Sequence, residues 1–192
     1  MRASGRLGIS SVLLLAAASG LAAVEFAPEL YSWGWHQLHR GVARFTGETR
    51  TIYEVRVPAS FSAFRPDECS VSVAKQPGPI RSRLGRRSRS QMSLSACRTG
   101  ATAKTIEANA PKLRDELGIV TVPRETISVA GQQLRCFERL GGQETNPGTP
   151  LATVDCVPSS SEGELSASFV GSGEHLPAFY SLLKAVKRPE ID

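Results

Sequence analysis

Two stretches of the sequence decide the fold. They are Leu134-Arg-Cys-Phe-Glu-Arg-Leu140 and, after a turn, Leu151-Ala-Thr-Val-Asp-Cys-Val157. The segment Gly141–Pro150 between these runs is rich in Gly, Asn, Thr and Pro, the residues typical of turns. Two such runs around a turn predict an antiparallel strand pair. When Cys136 faces Cys156, the cysteines and most apolar residues share one face, and facing β-carbons about 4.5–5.5 Å apart suit a disulfide. The pattern therefore predicts a Cys136–Cys156 bridge.

The other two cysteines, Cys69 and Cys97, form the second pair by elimination among three connectivities. They belong to strands expected at Cys69–Lys75 and Gln91–Cys97, which form a hairpin around a long polar loop. Placing these cysteines directly opposite each other turns apolar residues of the second strand away from the core. The pairing therefore requires a one-residue shift or a bulge. Buried free thiols are the alternative for all four cysteines.

The remaining strands follow from apolar residues that alternate with polar ones. Strands are expected at Thr51–Val57, at Thr126–Arg135 with a bend at Ala130-Gly131, at Gln132–Leu140, and around Leu165–Val170. Serine on the outer face of the last strand is typical of an antiparallel sheet with one buried face.

Two helices complete the domain. The first ends at Gly118 and begins either at Asn109, with Pro111 in its first turn, or earlier, at Ala103. The second begins at Ser172 or Gly173 and stops at Pro189. Its core-facing stripe is Leu176, Phe179, Leu183 and Val186. The sequence thus predicts an α+β fold, an antiparallel β-sheet packed by two or more helices, preceded by an N-terminal apolar export or anchor helix.

The N-terminus has the pattern of an export signal. Arg2 and Arg6 precede an uncharged apolar run, Leu7–Val24, which Glu25 ends. One interpretation is a cleaved signal peptide, and the other is an uncleaved anchor near the lower length limit for a membrane-spanning helix. The expected domains are therefore 1–24 as signal peptide or anchor, 25–48 as an aromatic juxtamembrane segment, and 49–192 as a single α+β domain. In either case the domain is exported, periplasmic or extracytoplasmic, where cysteines can pair.

The segment 25–48 carries amphipathic aromatic rings. Tyr31, Trp33 and Trp35 are of the type enriched at the headgroup level of a membrane. The alternative is that both tryptophans cover the protein core from outside.

The positive charge of the chain is concentrated in one stretch. The formal net charge is only +5, which is not the balance of a nucleic-acid-binding protein. The residues Arg81, Arg83, Arg86, Arg87 and Arg89 fall within nine positions. Such a run indicates a solvated loop, which either contacts an anionic lipid or polymer or has no partner at all.

No motif in the chain carries recognisable chemistry. There is no nucleophile motif, phosphate-binding loop or metal-ligand spacing, so we expect no catalytic residue, cofactor or metal site. The acid–base candidates are His36, His39 and the pair Glu174-His175.

The stretch from about 102 to 188 resembles the second half of a PsbP-like domain. The resemblance lies in a helix, a strand pair reading Ile127-Ser-Val-Ala-Gly131-Gln, two further antiparallel strands and a C-terminal helix with Phe179-Tyr-Ser-Leu-Leu-Lys-Ala-Val186. It implies an antiparallel sheet between helices, in a family whose members are often exported lipoproteins or stabilising subunits without catalysis. The segment Trp35-His36-x-x-His39-Arg40-Gly41 after an apolar run is similar to that of uncharacterised bacterial envelope proteins.

We therefore expect an exported or membrane-anchored, non-enzymatic binding or accessory domain of the bacterial cell envelope. Its expected partners are the membrane, through residues 7–24 if they are not cleaved, and an envelope protein or an anionic lipid or polymer, but not nucleic acid. The alternative is an extracytoplasmic hydrolase or transferase with a non-contiguous His/Glu site. A pocket that holds two of the three histidines would favour this alternative.

Overall fold

The computed structural model describes residues 7–75, 90–97, 100–141 and 151–189. These residues form an α+β fold with one large antiparallel sheet of seven strands and one two-stranded sheet. The strands are β1 Val42–Thr46, β2 Ile52–Arg56, β3 Ser62–Phe64, β4 Ser70–Lys75, β5 Ser90–Ser95, β6 Val120–Val129, β7 Gln132–Leu140, β8 Leu151–Pro158 and β9 Ser166–Ser172. The large sheet has the order β3-β4-β5-β9-β8-β7-β6, while β1 and β2 pair separately.

Three α-helices are described: α1 Leu7–His39, α2 Ala103–Leu117 and α3 Leu176–Lys184. A short 3₁₀ turn, Gly173–His175, leads into α3. The start of α2 is the earlier of the two predicted starts, since Thr102 accepts a hydrogen bond from the backbone N–H of Thr105 as its N-cap. Gly118 ends α2 in the left-handed conformation, as predicted.

Strands β7 and β8 pair in the predicted register. Cys136 lies directly opposite Cys156, and Glu138 lies opposite Val154. The two cysteines form a disulfide with a Cα–Cα distance of 4.0 Å, and both are fully buried. The chemical pattern of the two strands was therefore sufficient to place them against each other.

The second disulfide joins Cys69 to Cys97 across strands β4 and β5, with a Cα–Cα distance of 5.5 Å. The register of these strands pairs Ser70 with Ser95, and the N–H of Ala96 donates to the carbonyl of Cys69. The cysteines are thus offset by one residue, as the alternation predicted. This offset keeps the apolar residues of both strands on the core face.

Strand β6 is longer than the sequence predicted. It begins at Val120 rather than Thr126, and its register with β7 shifts between Pro123 and Thr126. Pro123 is tolerated because β6 is an edge strand of the sheet. The two-residue turn Ala130-Gly131 separates β6 from β7, and both of its residues have positive φ.

The main core lies between the large sheet and a cover formed by the β1–β2 hairpin and α3. Phe45 of β1 stacks on Tyr53 of β2, and Phe179 of α3 contacts Phe169 of β9. The predicted stripe of α3 is confirmed, since Phe179, Leu183 and Val186 are buried. The helix itself ends at Lys184 rather than at Pro189. Helix α2 covers the other face of the sheet through a small cluster of Ala103, Phe137 and Val157, with Ile106 beside it.

The folded unit includes residues before the boundary expected at residue 49. Ala43 and Phe45 of β1 belong to the main core, and the N–H of Thr46 donates to the carbonyl of Glu68. Segment 25–48 therefore combines part of a helix with a core strand. The sequence pattern does not predict this strand, because the strand has only five residues, two of them buried, and directly follows a helical segment.

Candidate functional site

The last two turns of α1 are fixed to the domain by hydrogen bonds to one loop. Ser32 Oγ donates to the carbonyl of Phe61 over 2.8 Å, and His36 Nε2 lies 3.0 Å from the carbonyls of both Pro58 and Phe61. Two carbonyl acceptors require that Nε2 carries the proton. His36 is therefore occupied in attaching the helix to the domain, and a structural role accounts for it.

The sharp turn after α1 depends on a glycine. Gly41 has a φ of +68°, and an added Cβ there would lie 2.8 Å from His36 Nδ1. Arg40, just before it, also has a positive φ, of 52°. This turn reverses the chain directly from α1 into β1, so that helix and strand lie side by side.

A groove of about 710 Å³ lies between the end of α1 and strands β1 to β3. Its lining combines aromatic and aliphatic side chains with several cationic ones. The lining residues are Tyr31, Trp35, Leu38, His39, Arg40, Val42, Ala43, Arg44, Glu54, Ala63, Phe64 and Arg65. The volume is within the range of ligand-binding pockets.

The apolar side chains of α1 around the groove are unusually exposed. Leu38 is 82% exposed, and Trp33, on the outer side of the helix, is 65% exposed. Trp35 is half-buried, packs against the main core and contacts the ring of His39 at 5.0 Å. Trp35 thus covers the core from outside, as one interpretation expected, whereas the position of Trp33 at a membrane headgroup layer stays a prediction.

Three arginines line this groove, and no local pattern in the sequence marks them as a group. Arg44 is 71% exposed, and its Nε donates to Glu54 Oε1 over 2.6 Å. Arg65 donates to the carbonyl of Glu68, and Arg40 is exposed at the end of α1. Among the described residues of the lining, three arginines stand against one carboxylate, which makes this surface cationic. They are dispersed in the sequence, and only the fold brings them together.

His175 lies at a separate site, at the start of α3. Its Nε2 accepts from Lys75 Nζ at 3.2 Å, and its Nδ1 lies 2.8 Å from Ser90 Oγ. The edge of its ring contacts Phe61, and Glu174 Oε1 is 3.5 Å from Nε2. The ends of β4 and β5 supply the lysine and serine.

The protonation pattern of this cluster does not suit nucleophilic catalysis. Because a lysine ammonium can only donate, the neutral His175 ring carries its proton on Nδ1 and donates it to Ser90 Oγ. That oxygen also accepts the N–H of Ser172, and Ser90 is fully buried. Burial and the nearby Lys75 lower the pKa of His175 against the opposing influence of Glu174. His175 is thus not oriented as a general base toward Ser90, whereas a nucleophilic serine needs one.

A buried polar network joins the two sheets. Tyr53 donates to Glu164 Oε1 over 2.5 Å and accepts from Gln132 Nε2, while Thr49 donates to both oxygens of Glu164. Burial and the hydrogen bond to Glu164 raise the pKa of Tyr53, against a lowering influence of Arg188. Every polar group named here has a partner, so the network fixes the hairpin to the sheet.

The three histidines are held in three different settings. His36 attaches α1, His39 lines the groove, and His175 contacts strands β4 and β5. The groove includes His39. A second cavity of about 550 Å³, between the end of α1 and α3, includes His36, so each of these two cavities contains one histidine.

The arginine run Arg81, Arg83, Arg86, Arg87 and Arg89 lies outside the described residues. Its expected contact with an anionic surface stays a prediction. Within the described part of the chain, one group of three metal-ligand types occurs, namely Asp67, Cys69 and Cys97. Both sulfurs of that group are joined in a disulfide and therefore offer no thiolate to a metal.

Among the residues whose side chains the structure describes, no helix combines the length and apolar character needed to cross a bilayer. The apolar run Leu7–Val24 stays a prediction as signal or anchor.

Comparison with known proteins gives a likeness of fold. No protein-family model and no curated protein matches the chain. Among solved structures, it is similar to the solution structure of cyanobacterial PsbP (CyanoP) from Synechocystis sp. PCC 6803. The TM-score is 0.42 and the identity 11%, over 78% of this chain and 93% of that chain. This is a weak structural resemblance to the PsbP-like fold, as the order of elements in the sequence predicted.

Proposed function

We propose that this protein is an extracytoplasmic, non-enzymatic binding or accessory domain held at the surface of a membrane by the N-terminal part of α1. The observation that supports the proposal is the arrangement of α1 itself. Among the side chains that the structure describes, Ser32, Trp35 and His36 attach its last turns to the domain, while Tyr31 and Trp33 are exposed. Exposed aromatic side chains directly after an apolar run are typical of a membrane interface.

The two disulfides support the compartment. Cysteine pairs persist in oxidising, extracytoplasmic surroundings and are rare in the cytosol. Both bridges connect neighbouring strands of the large sheet, so an oxidising environment adds to the stability of the sheet.

The alternative, a hydrolase or transferase, would have to use the His175 cluster or the groove. In the cluster, Ser90 is buried and His175 donates toward it, so neither group meets a substrate in a reactive state. In the groove, His39 is the lone histidine. The geometry therefore supports binding better than catalysis.

Membrane attachment is tested by alkaline extraction of membranes from cells that produce the full chain. The variant Leu14→Arg places a charge in the apolar run, at a cost of about 3 kcal/mol for an arginine at the centre of a spanning helix. We expect this variant to move into the extractable fraction. The control Leu117→Arg makes the same change at an exposed position of α2 and should stay with the membrane.

The mass of the mature protein separates the two N-terminal forms. Retention of residues 1–24 supports the anchor, whereas a start near Ser19 or Ala23 indicates a cleaved signal and contradicts attachment through α1. Turnover of substrates from a hydrolase panel, lost in the variant His175→Gln, would contradict the non-enzymatic function.

A further inference from the structure

We infer that the groove between α1 and strands β1 to β3 is a binding site for the anionic headgroup of a phospholipid. This inference rests on the proposed attachment to a membrane and names what the attached domain contacts. Two sets of side chains carry it: aromatic and aliphatic side chains of α1, and arginines from the turn after α1, from β1 and from the segment after β3.

The charge of the groove selects an anionic occupant. Arg40, Arg44 and Arg65 line it, and Glu54 is the single carboxylate among the lining residues that the structure describes. That carboxylate is 13% exposed and already accepts from Arg44 Nε, which leaves the terminal nitrogens of the guanidinium to other acceptors. Planar guanidinium groups donate in pairs to phosphate oxygens, so the groove suits a phosphodiester.

The apolar side of the groove selects an amphiphile rather than a free phosphate. Tyr31, Leu38 and Phe64 line the groove and are 63%, 82% and 51% exposed. Free phosphate gains nothing from such surface, whereas the glycerol and upper acyl carbons of a lipid bury it. A cationic groove with an exposed apolar wall therefore matches both parts of a lipid.

The end of the groove nearest the apolar run lies close to the headgroup layer of the membrane. Tyr31 is seven residues beyond Val24, the end of the apolar run, which is about 10 Å along an α-helix. The headgroup layer extends about 5–8 Å beyond the hydrocarbon core on each side. Arg40, at the far end of the groove, is sixteen residues beyond Val24, or about 24 Å, so a headgroup that it binds is lifted out of the membrane surface.

The two tryptophans of the chain both lie on α1, and Trp35 lines the groove, so its emission provides a direct readout. In the variant Trp33→Phe, the emission of Trp35 reports on the groove alone. The full-length variant in phosphatidylcholine vesicles is titrated with dihexanoyl-phosphatidylglycerol, dihexanoyl-phosphatidylcholine, inorganic phosphate and a poly-glutamate peptide. We expect a saturable change in Trp35 emission with the anionic lipid, weaker at high salt, and little response to the other three.

The arginines are tested by Arg40→Gln/Arg65→Gln in the same background. At about 1 kcal/mol for each basic residue near anionic lipid, the dissociation constant should rise about 25-fold. The matched control is Lys112→Gln/Arg114→Gln, which removes the same charge from exposed positions of α2 on the opposite face of the sheet, and it should bind as the parent does. Unchanged unfolding midpoints show that each variant is folded.

Flotation of the vesicles separates the two proposals. A chain that floats but whose Trp35 does not respond to the anionic lipid overturns the lipid site and leaves membrane attachment standing. The lipid site is also overturned if poly-glutamate binds as well as the lipid, or if both double variants weaken binding equally. A chain that does not float with the vesicles overturns attachment, and the lipid site with it.

Discussion

Breaking the Cys136–Cys156 bridge should remove a large part of the free energy of unfolding. The bridge closes a segment of 20 residues, for which the loss of chain entropy in the unfolded state corresponds to about 3 kcal/mol. A domain of this size has a total stability of about 5–15 kcal/mol. One covalent bond between two strands therefore accounts for a fifth or more of the whole.

The effect of the cross-link on stability must be measured separately from the effect of removing its two sulfur atoms. Both cysteines are fully buried, so Cys136→Ala/Cys156→Ala also removes two sulfur atoms from the core. In the background Cys69→Ala/Cys97→Ala, one bridge is left, and a reductant opens it without removing atoms. We expect reduction to cost about 3 kcal/mol, and the further double alanine substitution to add about 1–2 kcal/mol for lost packing.

The assay is urea unfolding followed by far-ultraviolet circular dichroism, with and without reductant, extrapolated to water. The slope of stability against urea should rise on reduction, because the unfolded chain exposes more surface when the loop is open. A loss below about 1 kcal/mol on reduction would refute the entropic argument. The quadruple alanine variant must show no response to reductant, which controls for effects of the reagent.

Three further outcomes are expected. Tyr53→Phe should cost about 2 kcal/mol, because it leaves a buried carboxylate and amide without their shared partner, whereas Tyr31→Phe at an exposed position should change nothing measurable. Because burial lowers the pKa of His175 in the folded state, the unfolded chain binds its proton first as the pH falls. The contribution of neutral His175 to the free energy of unfolding is complete above the ordinary histidine pKa of about 6.5 and is lost below it. His175→Gln should therefore reduce the fall in urea midpoint between about pH 7.5 and 5.5. Gly171→Ala should cost about 3 kcal/mol, since the added Cβ would lie 2.7 Å from a backbone carbon of β5; Gly173→Ala, with open space around it, should leave the unfolding midpoint almost unchanged.

The sequence was most informative where a contact joins two consecutive strands of a hairpin. The pairing of Cys136 with Cys156 could be predicted because a turn cluster separates two alternating runs, and the offset of Cys69 from Cys97 followed from the same alternation. These predictions need only the period of a strand and the reach of a disulfide.

The candidate site could not be predicted in the same way. Arg65 lines the same groove as the end of α1 although the two elements are not paired strands, and the partners of His175 lie 85 and 100 residues away. Nothing local in the sequence marks such contacts, since isolated arginines and serines are common on any surface. The clustered arginines 81–89 attracted attention for their charge, whereas the arginines of the groove become a cluster only after folding.

The order of strands in the large sheet also determines when the sheet can be completed. Strand β9 lies between β5 and β8, yet it is the last strand to be synthesised. Each disulfide lies within a hairpin that is already complete before β9 exists, so both bonds can form early in the emerging chain. Until β9 is synthesised, the two disulfide-bonded hairpins expose the unpaired edges of β5 and β8, which are sites of aggregation. A chain that ends before β9 would thus keep both disulfides, but the β3-β4-β5 and β8-β7-β6 halves of the sheet would not be joined.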